Sequence, residues 1–241
     1  MSVEIKLKKD VDLKDCIFIT GFHSVIGETG FIAVMHLVKT LQAERIGFID
    51  TPLFPPLTSL ENYRLTLPFE IFKNENLVIL FPRVLPYRAE QRKFAQTVTQ
   101  WITDHKFKEA ILIGGLDNQF KEGDEDCKVV PTGAMLKKAQ ENKLALLEEG
   151  LQVFGPLALM LTFLEMKDFP AIAILPFAQR GRPDPRAAAI AIEKINTLYK
   201  TSIPTTELIR DAHEIEEEIG KIIKQQEERE IRREPREDMY I

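Results

Sequence analysis

A chain of 241 residues that is 44% hydrophobic can bury a large core as one α/β domain. Its formal net charge of −5, with acidic and basic residues interspersed, leaves no long basic stretch of the kind that nucleic acid or an anionic membrane selects. The two cysteines, Cys16 and Cys127, have neither metal-ligand spacing nor the number a disulfide framework needs, which suits a reducing, cytoplasmic setting.

Along the chain, MSVEIKLKKDVDLKD is charged and alternating, with no apolar signal-peptide core, and Val3, Ile5 and Leu7 read as a half-buried edge strand. No apolar run approaches the roughly 18 residues of a membrane span. CIFITGF from Cys16 is a buried strand ending at Gly21. A helix follows over residues 27–42, with Phe31, Val34, Met35, Val38 and Leu41 at helical spacing, and IGFID from Ile46 is the next strand. TPLFPPLTSLENYRLTLPFEIF starts too rich in proline for a helix; its second half suits a hairpin or an added edge strand, so the segment reads as an insertion on the sheet rim. LVILF from Leu77, a helix over residues 87–105 and AILIGG from Ala110 repeat the strand-helix-strand plan, which makes a parallel sheet the economical expectation.

DNQFKEGDEDCKVVPTG reads as a polar loop around a short strand at residues 128–130. FGPLALMLTFLEM from Phe154 is apolar almost all round, as in a helix buried between layers or between subunits, and FPAIAILPF from Phe169 is another buried strand. PDPRAAAIAIEKINTLY begins a helix, with Asp184 as N-cap and Pro185 at the first helical position. Leu208, Ala212, Ile215, Ile219 and Ile222 then form a short a/d seam, which suits either a helix packed on its own domain or self-association. From Gln225 to Asp238 apolar residues almost vanish and Pro235 interrupts any helix, so this stretch reads as a tether for Met239, Tyr240 and Ile241. A hydrophobic residue, tyrosine and terminal residue on such a tether fit an anchor that enters a pocket on another protein, with the carboxylate captured there.

In this order, the first strand into Gly21, ILIGG ending at Gly114 and Gly115, FGPLALML, FPAIAILP and PDPRAAAIAIEKI followed by a charged C-terminal helix resemble the archaeal branch of the proteasome assembly chaperone 2 family, over nearly the whole chain. The resemblance implies a three-layer α/β/α sandwich with a mostly parallel central sheet, similar to purine nucleoside phosphorylases but without evident catalytic residues. It divides the chain into a core over residues 1–204, an amphipathic helix over 205–224 and a flexible tail over 225–241. It also implies a homo-oligomer, with a tetramer favoured, whose tails enter pockets between proteasome α subunits. Met239, Tyr240 and Ile241 match the family's hydrophobic-Tyr-X motif position by position. Several such tails would act together at high effective concentration.

Two other function classes stand beside this one. Gly114 and Gly115 after a buried strand could approach a phosphate in a phosphorylase-like or nucleotide-dependent enzyme, but neither G-x-G-x-x-G nor G-x-x-x-x-G-K-[ST] is present, and a tight strand-exit turn explains them. His23 and Ser24 follow a strand without a nucleophile-elbow partner. His36, His105 and His213 lack metal spacing; Arg180, Arg182 and Arg186 could hold an anion or simply lie in solvent. Asp117, Glu122, Asp124, Glu125 and Asp126 do not have the spacing of a calcium loop. The expectation is therefore no catalytic residue, no metal and no cofactor. The third class is a scaffold whose tail folds back on its own oligomer and whose partner is another protein.

Overall fold

The computed structural model describes residues 2–8 and 10–233, with residues 220 and 222–233 described as backbone only. Strands β1 (Glu4–Leu7) and β2 (Ile17–Gly21) lead into helix α1 (Thr29–Thr40) and β3 (Glu44–Asp50). A small hairpin of β4 (Leu60–Glu61) and β5 (Arg64–Leu65) precedes β6 (Phe69–Asn74), β7 (Leu77–Pro82), α2 (Gln91–Asp104), β8 (Glu109–Ile113) and β9 (Leu116–Asp117). The chain continues through β10 (Cys127–Pro131), α3 (Gly133–Glu141), α4 (Gly155–Glu165), β11 (Ala171–Ala178), α5 (Pro185–Tyr199) and α6 (Thr206–Arg233).

The main sheet has the order β1-β3-β6-β7-β2-β8-β11-β10, with β9 beside the end of β11. Its centre, β7-β2-β8-β11, is parallel. Both flanks are antiparallel, β1-β3-β6-β7 on one side and β10 on the other. The central strands are buried along their whole length, as the continuous apolar runs require when both sheet faces are covered. Alternate side chains serve opposite layers. Phe18, Ala110, Leu112 and Ala173 pack with α2 and α4, whereas Ile19, Ile111, Ile113 and Ile174 pack with α1, α3, α5 and the start of α6. The result is the expected α/β/α sandwich, but its sheet is mixed rather than mostly parallel, since the β1-β3-β6-β7 ladder and β10 on β11 are antiparallel.

Several expectations need correction. The segment assigned to the sheet rim ends in β6, an interior strand between β3 and β7; only β4 and β5 lie outside the main sheet. β6 carries Glu70, which is buried because Arg45 (2.6 Å) and Arg83 (2.7 Å) both pair with it. β3 does not neighbour β2: β6 and β7 stand between them. Helix α2 begins at Gln91 rather than at 87, since Arg88, Ala89 and Glu90 form a separate turn before it, closed by Glu90 N donating to Tyr87 O (2.7 Å). α3 was not anticipated; only Met135 and Ala139 of its nine residues are buried, too few to show a period. α6 crosses the expected boundary at 224 and continues to Arg233, through a run of Lys, Gln, Glu and Arg that favours helix without an apolar face.

Candidate functional site

In open α/β sheets ligands bind beyond the carboxyl ends of the parallel strands, where loops part. Here that region is closed by backbone. A Cβ on Gly21, at the end of β2, would lie 2.4 Å from Gly30 O, and one on Gly30 would lie 2.3 Å from Ile113 O. Glycine is thus what lets α1 reach the ends of β2 and β8. Gly115 faces Ile26 O and Thr29 Oγ1, which a Cβ would meet at 2.8 and 3.0 Å, and Gly114 faces the Leu175 and Leu157 side chains. The space a phosphate would need against this turn is filled by the protein itself.

The loop after β2 is also stitched to the loop after β11. Ile26 and Arg180 form an isolated antiparallel bridge, Gly181 N donates to Val25 O (2.7 Å) and Asp184 N donates to Gly27 O (2.8 Å). Asp184 caps α5 as expected, its Oδ1 accepting from Ala187 N (3.1 Å), and its Oδ2 accepts from Gln179 N (2.9 Å). His23 stacks on Phe31 with centroids 3.7 Å apart, and its Nε2 donates to Arg83 O (2.9 Å). Ser24 Oγ accepts from Ile26 N (3.1 Å), a local turn bond. His23 and Ser24 are neighbours held in separate structural contacts, not a nucleophile and its base.

The remaining polar candidates disperse in the same way. His36 Nε2 donates to Pro204 O (2.7 Å), His105 Nδ1 donates to Trp101 O (3.0 Å), and His213 lies exposed on α6. Asp117 caps a short 3-10 turn by accepting from Gln119 N (3.1 Å) and faces Arg180 at 3.7 Å. Asp126 pairs with Lys121 (2.9 Å) and Glu125 faces Lys128 (3.9 Å). Among the described residues, no group of three or more His, Cys, Asp or Glu side chains could hold a metal ion. Burial pushes the Cys127 thiol up to about 12, which keeps it unreactive. Arg182 and Arg186 share a cleft of about 200 Å³ with Lys121, but Arg186 is committed to Glu216 on α6 (3.2 Å).

Sequence reasoning missed the ion network around Glu70. Arg83 bonds Glu70 and also makes two bonds to Glu61 on β4 (2.6 and 2.8 Å), while its guanidinium covers the Phe81 ring at 4.5 Å. Burial opposes the Arg83 charge, but its hydrogen bonds to Glu61 and Glu70 outweigh that and hold its pKa above the ordinary value. A glutamate inside an apolar strand was the available signal.

The C-terminal helix is built differently. At its base Leu208 and Ala212 are buried with α5, the His36 ring holds the preceding turn, and Lys39 pairs with Glu207, whose carboxyl is lowered mainly by that hydrogen bond. Farther along, Ile215 and Ile219 are half-buried while Glu214, Glu216, Glu217 and Glu218 are exposed. The seam therefore packs first on its own domain. Over 28 residues α6 spans about 42 Å at about 1.5 Å per residue. Met239, Tyr240 and Ile241, the predicted partner-binding residues, lie outside the described residues.

These features define a three-layer α/β/α body whose central strand end is filled at its glycine turns and which carries a long C-terminal helix. The PAC2 family model matches residues 18–223, and the chain belongs to the PAC2 family. An uncharacterized protein of Methanocaldococcus jannaschii is 22% identical over 224 residues, covering 93% of this chain and 92% of that protein. The structure is similar to that of Pyrococcus furiosus PbaA, described as an archaeal homolog of proteasome-assembly chaperone, with a TM-score of 0.82, 22% identity and 96% of each chain covered. It is also similar to P. furiosus PbaB, described as an archaeal proteasome activator, with a TM-score of 0.76, 20% identity and coverage of 92% of this chain and 98% of that one. Among the described residues, no helix is long and apolar enough to cross a membrane.

Proposed function

We propose that this chain is a proteasome assembly chaperone homologue that acts by binding, not by catalysis. In this reading it engages proteasome α subunits or the α ring through Met239, Tyr240 and Ile241, and does so as a homo-oligomer. The observation that carries the reading is membership of the PAC2 family, together with the likeness to PbaA over almost the whole of both chains. The geometry supports it in two ways. Glycine contacts fill the strand end that would serve an enzyme, and α6 is packed on the body through Leu208 and Ala212 in its first turns and then runs on to Arg233, so it can carry the residues that follow toward a partner. Tyr240 supplies an aromatic anchor, and several copies in one oligomer multiply a contact that is weak alone.

The test is a pull-down of proteasome α subunits by the intact chain, by Tyr240→Ala and by a chain lacking residues 239–241. Loss of the anchor should weaken binding by about 30-fold or more, the scale of a hot-spot residue. Oligomer mass should not change. Undiminished binding by both variants removes the tail from the mechanism.

A further inference from the structure

We propose that the insertion between β3 and β6 is a self-association surface, occupied by a second copy of this chain. It presents Leu53, Phe54, Leu57, Leu60, Tyr63 and Leu65, all exposed. Leu85 and Tyr87, exposed in the segment before α2, lie on a stretch joined to the insertion, because Leu53 N donates to Glu90 Oε1 (3.0 Å).

The hairpin tip is a displayed anchor. Asn62 and Tyr63 both take left-handed φ, 48° and 60°, in the two-residue turn between β4 and β5. Such a turn favours asparagine and glycine; a tyrosine there carries a steric cost that glycine would avoid. No contact within the monomer offsets that cost, since Tyr63 is 97% exposed. The tip is nevertheless held firmly. Arg83 clamps Glu61 with two bonds, Arg45 Nη1 donates to Leu65 O (2.8 Å), and Ser59 and Thr66 exchange backbone and hydroxyl bonds below the turn. The Glu70 network therefore works as a brace that fixes an apolar hairpin to the sheet before any partner arrives, which lowers the ordering cost of binding.

Size and chemistry identify the occupant. Eight large side chains exposed to this degree offer on the order of 800 Å², about what each partner contributes to a standard interface and more than the roughly 300–600 Å² of the largest patch on a typical monomer. The stretch from Leu53 to Leu60 contains no charged residue, the composition of an interface core that stays covered. A surface that must stay covered needs an occupant made with it in equal amount, and a second copy meets that condition. The proposal supplies the oligomer that the proposed function requires, yet rests on this patch alone and can fail separately from the tail.

The measurement is light-scattering mass of the intact chain, Tyr63→Glu, Leu60→Glu and, as a control on the exposed face of α3, Lys137→Glu. The intact chain and Lys137→Glu should form the same oligomer. Tyr63→Glu and Leu60→Glu should fall in mass by about twofold or more, as expected when one interface of a closed assembly is removed. Their circular dichroism and unfolding midpoint should match those of the control, since both side chains lie outside the core. A monomeric intact chain, or hairpin variants that keep the intact mass, would overturn the proposal. Tyr240→Ala should leave the mass unaltered, which separates this surface from the tail.

Discussion

The carboxyl end of the central strands and the periphery of the molecule follow opposite rules. At the strand end His23, Ser24 and Asp184 have partners within the chain: His23 on the Arg83 carbonyl, Ser24 on Ile26, Asp184 on two backbone amides. The glycines there let α1 meet β2 and β8 at backbone distance, so the turn at Gly114 and Gly115 is filled by Ile26, Thr29, Leu157 and Leu175. At the β4–β5 hairpin and in the first half of α6, apolar or charged side chains reach solvent from elements that are themselves tied to the body, by Arg83 on Glu61 and by Arg186 on Glu216. A fold known for binding ligands at its strand ends can thus be closed there and still retain recognition surfaces elsewhere.

The largest effect should come from opening the closed end. Gly30→Ala places a Cβ against Ile113 O with no flexible side chain to yield, so about 3 kcal/mol of stability should be lost, a fall of roughly 6–12 °C in unfolding temperature for a chain of this size. Gly133→Ala is the control: its Cβ would meet only the Glu165 carboxylate, at 3.5 Å, and should change stability by less than about 0.5 kcal/mol. Thermal unfolding of the two variants checks both. If Gly30→Ala unfolds like Gly133→Ala, the strand end is loose enough to admit a ligand and the contrast between the two regions collapses.

A smaller effect is expected at the base of α6. Leu208 is 3% exposed and packs with the α5 core, whereas Ile219 is only half-buried. Leu208→Ala should weaken attachment of the helix by about 2–5 kcal/mol. Hydrogen exchange should then show faster exchange confined to α6, with the β2 and β8 amides still protected. Ile219→Ala should have a much weaker effect. Equal effects at both positions would mean that Ile219 anchors α6 as strongly as Leu208 does.

What the sequence disclosed follows the same division. β2, β7, β8 and β11 were legible because a strand buried on both faces must be continuously apolar, and α5 because Asp184 and Pro185 mark a helix start with local chemistry alone. β6 was misplaced because its burial depends on Arg45 and Arg83, 25 and 13 residues away from Glu70, and no local pattern reports such a pairing. The role of Gly114 and Gly115 was open for a similar reason: what fills the space beside them, Ile26, Thr29, Leu157 and Leu175, is brought there by the fold. The turn at Asn62 and Tyr63 lacks the usual asparagine-glycine signal, so the hairpin could be named only in general terms. Met239, Tyr240 and Ile241 remain readable as a motif alone, since they lie outside the described residues.

The smallest expected effect concerns charge at the foot of α6. The Lys39 hydrogen bond lowers the Glu207 pKa below its ordinary 4.5, so the folded chain holds the carboxylate more firmly than the unfolded chain does. The stabilisation from this pair is fully present above pH 4.5 and disappears as pH falls through the lower folded value. Glu207→Gln removes the titrating group. Hydrogen exchange at the start of α6 should differ between the intact chain and this variant at pH 6 and converge in stronger acid, with the difference shrinking further as salt is added. Because Lys39 is largely in water and Glu207 is partly so, the difference should be a small fraction of that caused by Leu208→Ala. A difference as large as that of Leu208→Ala would mean that charge, rather than the burial of Leu208 and Ala212, fastens the helix to the body.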